Sequence, residues 1–279
     1  MRTFLGKNAA GSGVALFVTS LAERTIAALR TAHDQLADIV PGLSDEQLAR
    51  TSGASEWPVS QVLSHLGSGA EIGRIGYVAA LAGEEAPGPD VNQPIWDRWN
   101  ALAPREQATA FVEHNEALVT WFEDLSPDDR EHLQIKLGFL PDPLPVASVA
   151  GMRLHETVQH SWDARVGIDP AAVIDDDVAL LLFEHLAGDL GFLLRFTGKA
   201  DQVGEPTRVR IEGTDVAVLV EDHVSVSTSA TDSTATFHGS PEAALRLLAG
   251  RLKAPYLPAG VDVTGNVKLD DLVRVFPGY

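Results

Sequence analysis

Arg153-Leu154-His155-Glu156-Thr157-Val158-Gln159-His160-Ser161-Trp162-Asp163 is the stretch on which the fold and the chemistry of this chain both turn. Four residues advance an α-helix by about 400°, so Glu156 and His160 stand only about 40° apart on one face. Asp163 shares that face, and so, counting back, do Val149 and Met152, which look core-facing. A carboxylate and an imidazole therefore point into a protein interior. An unpaired buried carboxylate is costly and calls for a cation or a strong donor. A metal ion would satisfy both groups. Pairing of Glu156 with Arg153, or with an arginine of a neighbouring helix, would satisfy the carboxylate as well, and a single interior histidine is more often a hydrogen-bonded core residue than a ligand.

The helical period extends outward from this segment. Apolar residues at Phe17, Val18, Leu21, Ile26, Leu29, Leu36 and Val40 place a first helix over 14–40, ending at Pro41-Gly42. Ser44 is a plausible cap for a short helix. A second long helix starts at Pro58 and runs to Leu81. On its inward stripe Val62, Leu66, Gly69, Gly73 and Gly76 lie with His65. Glycine costs about 1 kcal/mol relative to alanine inside a helix, so three of them imply the close approach of a partner helix or a ligand. A third helical region covers 95–125 and breaks at Pro104. A proline-rich connector, 140–145, leads to a fourth helix over 147–166, and a fifth starts at Asp175-Asp176-Asp177 and runs to Phe196. His65, Glu156 and His160 then form a two-histidine, one-carboxylate set, the arrangement of a catalytic metal with positions left open.

Near residue 205 the period changes to two. Thr207–Glu212, Val216–Val218, His223–Ser227, Thr234–His238 and Val261–Gly265 alternate as strands. Ser240-Pro241-Glu242 opens a helix to Leu252, and a last helix covers 269–275. The fold class is therefore α+β, a four- to five-helix bundle over 14–197 followed by a small C-terminal domain over 205–279. The join falls in 197–204, where neither period holds.

Composition narrows the function. The formal net charge of −18, from 39 acidic against 21 basic residues, disfavours nucleic acid and anionic membranes as partners. There are no cysteines, which excludes disulfides, thiolate metal sites and a cysteine nucleophile, so any thiol chemistry must use a small-molecule thiol. A site of histidine and carboxylate suits zinc or another first-row divalent ion. Arg2 and Lys7 before the apolar run 14–22 faintly resemble a signal peptide, but the continuing helical spacing reads as part of the fold. No stretch reaches the roughly 20 apolar residues of a membrane helix. The expectation is a soluble, cytoplasmic protein.

Further residues carry a resemblance. Trp57-Pro58-Val59 leads to Val62-Leu63-Ser64-His65-Leu66, and Arg153, Glu156, His160 and Asp163 form an R-x2-E-x3-H-x2-D motif. Phe237-His238-Gly239-Ser240-Pro241, Leu247-Leu248-Ala249-Gly250-Arg251 and Val263-Thr264-Gly265-Asn266-Val267 complete the pattern. Together, over most of residues 17–279, these resemble the mycothiol-dependent maleylpyruvate isomerase family of the DinB-like helical-bundle superfamily. The resemblance implies zinc on His65, Glu156 and His160. It also implies mycothiol, the cysteinyl glucosamine–inositol thiol of actinobacteria, as cosubstrate, and isomerisation or S-transfer on an electrophilic small molecule. The competing readings are metal-assisted hydrolysis and a non-catalytic binding module with a structural metal.

Two further residues are expected to act at such a site. Asp163 would orient His160, or else pair with Arg153 or Arg165. Arg251 would reach across the domain interface to an anionic substrate, or else only complement a helix C-terminus. Trp96 and Trp99 read as a core stripe more readily than as a pocket wall. His155, about 100° from Glu156, falls outside the set. His33, His114, His132, His185, His223 and His238 show no paired spacing, and 6–13 reads as a flexible lead-in.

Overall fold

The computed structural model describes residues 19–54 and 56–278. The expected start of the first helix at 14, the lead-in 6–13 and the 14–22 run as far as residue 18 lie outside the described residues. The helices are α1 (Leu21–Ala37), α2 (Asp45–Leu48), α3 (Val59–Leu81), α4 (Asn92–Asn100), α5 (Pro104–Asp124), α6 (Pro127–His132), α7 (Val146–Val166), α8 (Asp176–Ala187), α9 (Leu193–Thr197), α10 (Pro241–Leu248) and α11 (Leu269–Val275). Ser20 and Ser44 cap α1 and α2, each in a reciprocal capping box with the third helical residue, Glu23 and Gln47. Pro104 begins α5 and so separates it from α4.

α1, α3, α5 and α7 make a four-helix bundle in which α3 lies between α5 and α7, and α1 closes the ring against both. The closest approach is at Gly67 on α3. A Cβ there would stand 2.2 Å from the Trp99 ring and 3.0 Å from the Phe111 backbone. The expected fifth helix is broken: Gly188 ends α8 in a non-helical conformation, a 3₁₀ turn follows at Asp189–Phe192, and α9 resumes only briefly. The connector before α7 holds more than proline. It contains α6 and a two-stranded ribbon, β1 (Gln134–Ile135) paired with β2 (Leu144–Pro145).

Beyond Thr197 the chain builds β3 (Thr207–Ile211), β4 (Ala217–Val220), β5 (Val224–Ser227), β6 (Ala235–His238) and β7 (Asp262–Gly265). They form one sheet in the order β5-β4-β3-β6-β7, antiparallel except for the parallel β3/β6 pair. Alternation sends Val209, Ile211 and Phe237 onto Leu247 of α10 and Leu272 of α11, while Arg208 and Arg210 face out to acidic partners. α10 packs on α8, and β5 on α8 and α9, so the sheet unit covers the side of α7 turned away from the bundle. Among the described residues no helix is long and apolar enough to cross a membrane.

Candidate metal centre

Two helices bring three ligand-type side chains together. α3 carries His65 and α7 carries Glu156 and His160, and one ligand atom from each lies within 4.8 Å of the others. Glu156 Oε2 is 3.2 Å from His65 Nε2 and 3.7 Å from His160 Nε2. Two ligands at about 2.0–2.1 Å from a tetrahedral ion stand roughly 3.3 Å apart, so this spacing fits one shared zinc-like ion. The donor set of two imidazoles and a carboxylate fits it chemically as well. The three side chains keep 37%, 44% and 15% of their surface accessible for His65, Glu156 and His160, so one side of the trio opens to solvent.

The surroundings fix that geometry. His160 Nδ1 lies 2.9 Å from Asp163 Oδ2, which places the ring proton on Nδ1 and leaves Nε2 bare toward Glu156. Asp163 is fully buried. Arg251, from just beyond α10, donates to both its oxygens, Nε to Oδ1 at 2.9 Å and Nη2 to Oδ2 at 2.6 Å. Burial alone would raise the Asp163 carboxyl, but His160 and Arg251 hold it below its ordinary value. The indole of Trp57 packs against both imidazoles, 5.1 Å from His65 and 6.0 Å from His160 between ring centres. Burial likewise works to raise Glu156, yet the hydrogen bond with His65 and the charges of His160, His155 and His65 hold it well below the usual carboxylate range. Glu156 thus stands ready as an anion for a cation.

The open side is a cavity of about 480 Å³, within the range of small-molecule sites. His65, Glu156 and Arg153 stand in its wall, and Ile72, Ile75, Val91, Leu137 and Phe139 make it largely apolar. The α3 glycines Gly69, Gly73 and Gly76 face this cavity, not a partner helix; the helix contact uses Gly67 instead. On the far side of Glu156 and His160 a smaller void, about 60 Å³, is lined by His155, Gln159, Leu194 and Arg251.

The structure therefore brings His65, Glu156, His160 and Asp163 together and adds Arg251 behind them. Arg251 crosses to the bundle, but Asp163 takes its Nε and Nη2, and Nη1 donates to the Ala249 carbonyl. Among the described residues these three bonds leave one N–H on each Nη free, and Arg251 lines the smaller void. Asp163 pairs with neither Arg153 nor Arg165, which bond Leu66 and Asn115, and Val173, respectively. Trp99 is core, with its indole N–H on Glu71 at 2.8 Å, and Trp96 is 43% exposed. His155, set aside on helical angle, lines the smaller void, and burial pushes its pKa down to about 4. Gln159 was also missed; its amide is buried there with neither atom hydrogen-bonded. His33, Asp34 and Glu116 form a second grouping within 4.8 Å, but Arg30 sits among them and pairs with both carboxylates.

A bundle that aims a two-histidine, one-carboxylate set into an open cavity, with an α/β unit closing its other side, defines a class of helical proteins with a candidate metal site. Residues 29–165, which hold all three candidate ligands, match the model of the mycothiol maleylpyruvate isomerase N-terminal domain, and the bundle of this chain belongs to that family. The crystal structure of the mycothiol-dependent maleylpyruvate isomerase superposes with a TM-score of 0.62 at 18% identity, covering 90% of this chain and 98% of that one. A histidine-to-alanine mutant of that enzyme gives the same values. At this identity the likeness establishes the fold. A search of curated proteins finds no significant match.

Proposed function

We propose that this chain is a metal-dependent enzyme that activates a low-molecular-weight thiol, mycothiol, for attack on an electrophilic small molecule, by isomerisation or S-transfer. The observation that carries the reading is the convergence of His65, Glu156 and His160 within 4.8 Å at the wall of an open cavity. Zinc is the metal the donor set favours. Bound there, it would lower the pKa of a thiol that reaches an open position, so that a thiolate forms at neutral pH.

The chain's own residues hold that geometry. Asp163 keeps the His160 proton on Nδ1, and Arg251 holds Asp163 in place, a positioning role in which the C-terminal unit reaches the bundle's site. Trp57 shields the imidazoles on one side. The chain lacks cysteine, so the nucleophilic sulfur is the cosubstrate's. The reading places the protein in the cytoplasm, where such a thiol stays reduced.

The test is metal analysis of the purified protein beside His160→Ala, followed by turnover of a conjugated electrophile with and without added thiol. We expect stoichiometric metal in the wild type, its loss in the variant, and turnover only with thiol. Full metal content in His160→Ala overturns the site, and thiol-independent turnover points to hydrolysis instead.

A further inference from the structure

A row of hydrogen-bonded side chains crosses the bundle from a surface carboxylate to the wall of the large cavity. Arg153 of α7, part of that wall, donates from Nη2 to Asn115 Oδ1 on α5 at 2.6 Å. The Asn115 amide nitrogen meets His33 Nδ1 on α1 at 2.8 Å. His33 Nε2 in turn lies 3.0 Å from Glu116 Oε2, back on α5. Asn115 and His33 are 0% and 2% exposed, whereas the Glu116 side chain is 47% open and pairs with Arg30.

The directions along this row are forced. A guanidinium has no acceptor, so Asn115 must turn its oxygen to Arg153 and its amide nitrogen to the ring. Nδ1 must then be bare, and the one ring proton sits on Nε2, which donates it to Glu116. A second proton, on Nδ1, would set N–H against N–H. His33 can take it only if the Asn115 amide turns over. The turned amide presents its nitrogen to Arg153, again a donor against a donor, so the charged ring and the Arg153–Asn115 bond exclude one another.

We propose that His33, Asn115 and Arg153 form a pH-sensitive switch, in which proton uptake by His33 turns the Asn115 amide and releases Arg153 from α5 toward the cavity. Little else holds the guanidinium: Nη2 also donates to the Leu66 carbonyl, and Nε has no partner. Burial is what most disfavours the charged ring, and Arg30 on the same helix adds to it. Glu116 from α5 and Asp34 from α1 favour it. From α7 the facing charge is Arg153 itself, behind Asn115, and Phe111 of α5 packs on the ring. None of these residues belongs to the His65, Glu156 and His160 set, so the switch can be read with any metal removed.

The test is NMR on the chelator-treated full chain. Long-range proton–nitrogen spectra of the histidine rings, with the arginine Nε–H signals, are followed from about pH 7 down to the onset of acid unfolding, and His33→Gln assigns the ring. The wild type is expected to show the Nε2–H tautomer at His33 and an Arg153 signal that moves with the His33 midpoint. In His33→Gln, which keeps a donor for Glu116 and cannot titrate, the Arg153 signal stays still. Asn115→Ala removes the turning amide but keeps the Arg153 charge. It should raise the proton affinity of His33 about tenfold, the size of one hydrogen bond to a charged group, and uncouple Arg153 from it. Arg153→Met frees the amide to turn and gives a rise of the same sign, which keeps the switch testable if the alanine variant does not fold. An Nδ1–H tautomer, a ring that stays neutral until the protein unfolds, or an Arg153 signal that ignores the His33 midpoint overturns the proposal. A proton affinity that Asn115→Ala leaves unchanged or lowers overturns it too, because the two groups would then interact through charge alone.

Discussion

The two sides of α7 treat buried charge in opposite ways. Toward the sheet unit Arg246 and Arg251 each hold a carboxylate. Arg246 is clasped by Glu242 and lies 5.0 Å over the Trp162 ring, with a further bond to the Tyr256 carbonyl. Arg251 and Asp163 share two hydrogen bonds. Toward the large cavity, Arg153 has only neutral acceptors, and Glu156 faces two histidines with nearly half its side chain open. One helix thus separates charges paired within the chain from charges that keep neutral or histidine neighbours and an open side.

The contrast is sharpest in stability. Glu242→Ala leaves Arg246, 2% exposed, without its carboxylate. Removing one partner of a buried pair costs about 3–5 kcal/mol, and urea unfolding should show a loss of that size. Arg153→Met removes a cation that has no ionic partner but leaves two buried neutral acceptors, so the same measurement should find a smaller loss, about 1–3 kcal/mol. Equal losses for the two variants would break the comparison, since both arginines would then be structural.

The next effect lies in the layer between the two sides. Asp163→Asn keeps the shape but removes the charge that orients His160 and balances Arg251. Loss of such an outer partner weakens metal affinity by about 10- to 100-fold, and competition against a chromogenic chelator reads this directly. Unchanged affinity would mean that Asp163 serves only to join the sheet unit to the bundle.

Two glycines of α3 separate packing from opening in the same manner. Gly67→Ala forces a Cβ against the Trp99 ring and the Phe111 backbone, and overpacking of this kind costs about 1–3 kcal/mol. Gly76→Ala meets nothing within 4 Å and should stabilise the helix by up to about 1 kcal/mol. Thermal melts of the pair check the sign, which is the informative part.

Much of this was legible in the sequence because it depends on short-range period. The i, i+4 spacing placed Glu156 and His160 on one face, the α3 stripe turned His65 inward, and strict alternation marked β3 through β7. The illegible parts depend on packing between distant segments. Helical angle set His155 aside because it assumed one interior face, whereas the sheet unit gives α7 a second. Arg153 stood as one alternative partner for Glu156; three residues of helix leave that choice open, and contacts with Leu66 and Asn115 decide it. The glycine stripe left partner helix and ligand as alternatives, and only the position of α5, against Gly67, separates them. The helical period ran on to Phe196, and only the conformation of Gly188 ends α8 before it.

The smallest expected effect concerns the matched side, where α8 meets the bundle. His185 is 2% exposed; its Nε2 lies 2.8 Å from Thr25 Oγ1 on α1, and its ring fills the space that a side chain at Gly151 on α7 would take. Burial is the main cause that lowers its pKa, with Arg24 adding to it and Glu184 and Asp189 opposing. A histidine whose folded pKa is depressed takes up its proton more readily unfolded, so stability is full above the ordinary value near 6.5 and falls as pH drops through and below it. Urea midpoints should therefore decline from pH 7 toward pH 5, and His185→Gln should flatten that decline while lowering stability at pH 7. The measurement belongs on His160→Ala protein, where proton competition for the metal site does not contribute. A slope that the substitution leaves unchanged would assign the pH dependence to another buried group, His155 first, since burial pushes it down to about 4, and then His33, which burial also lowers.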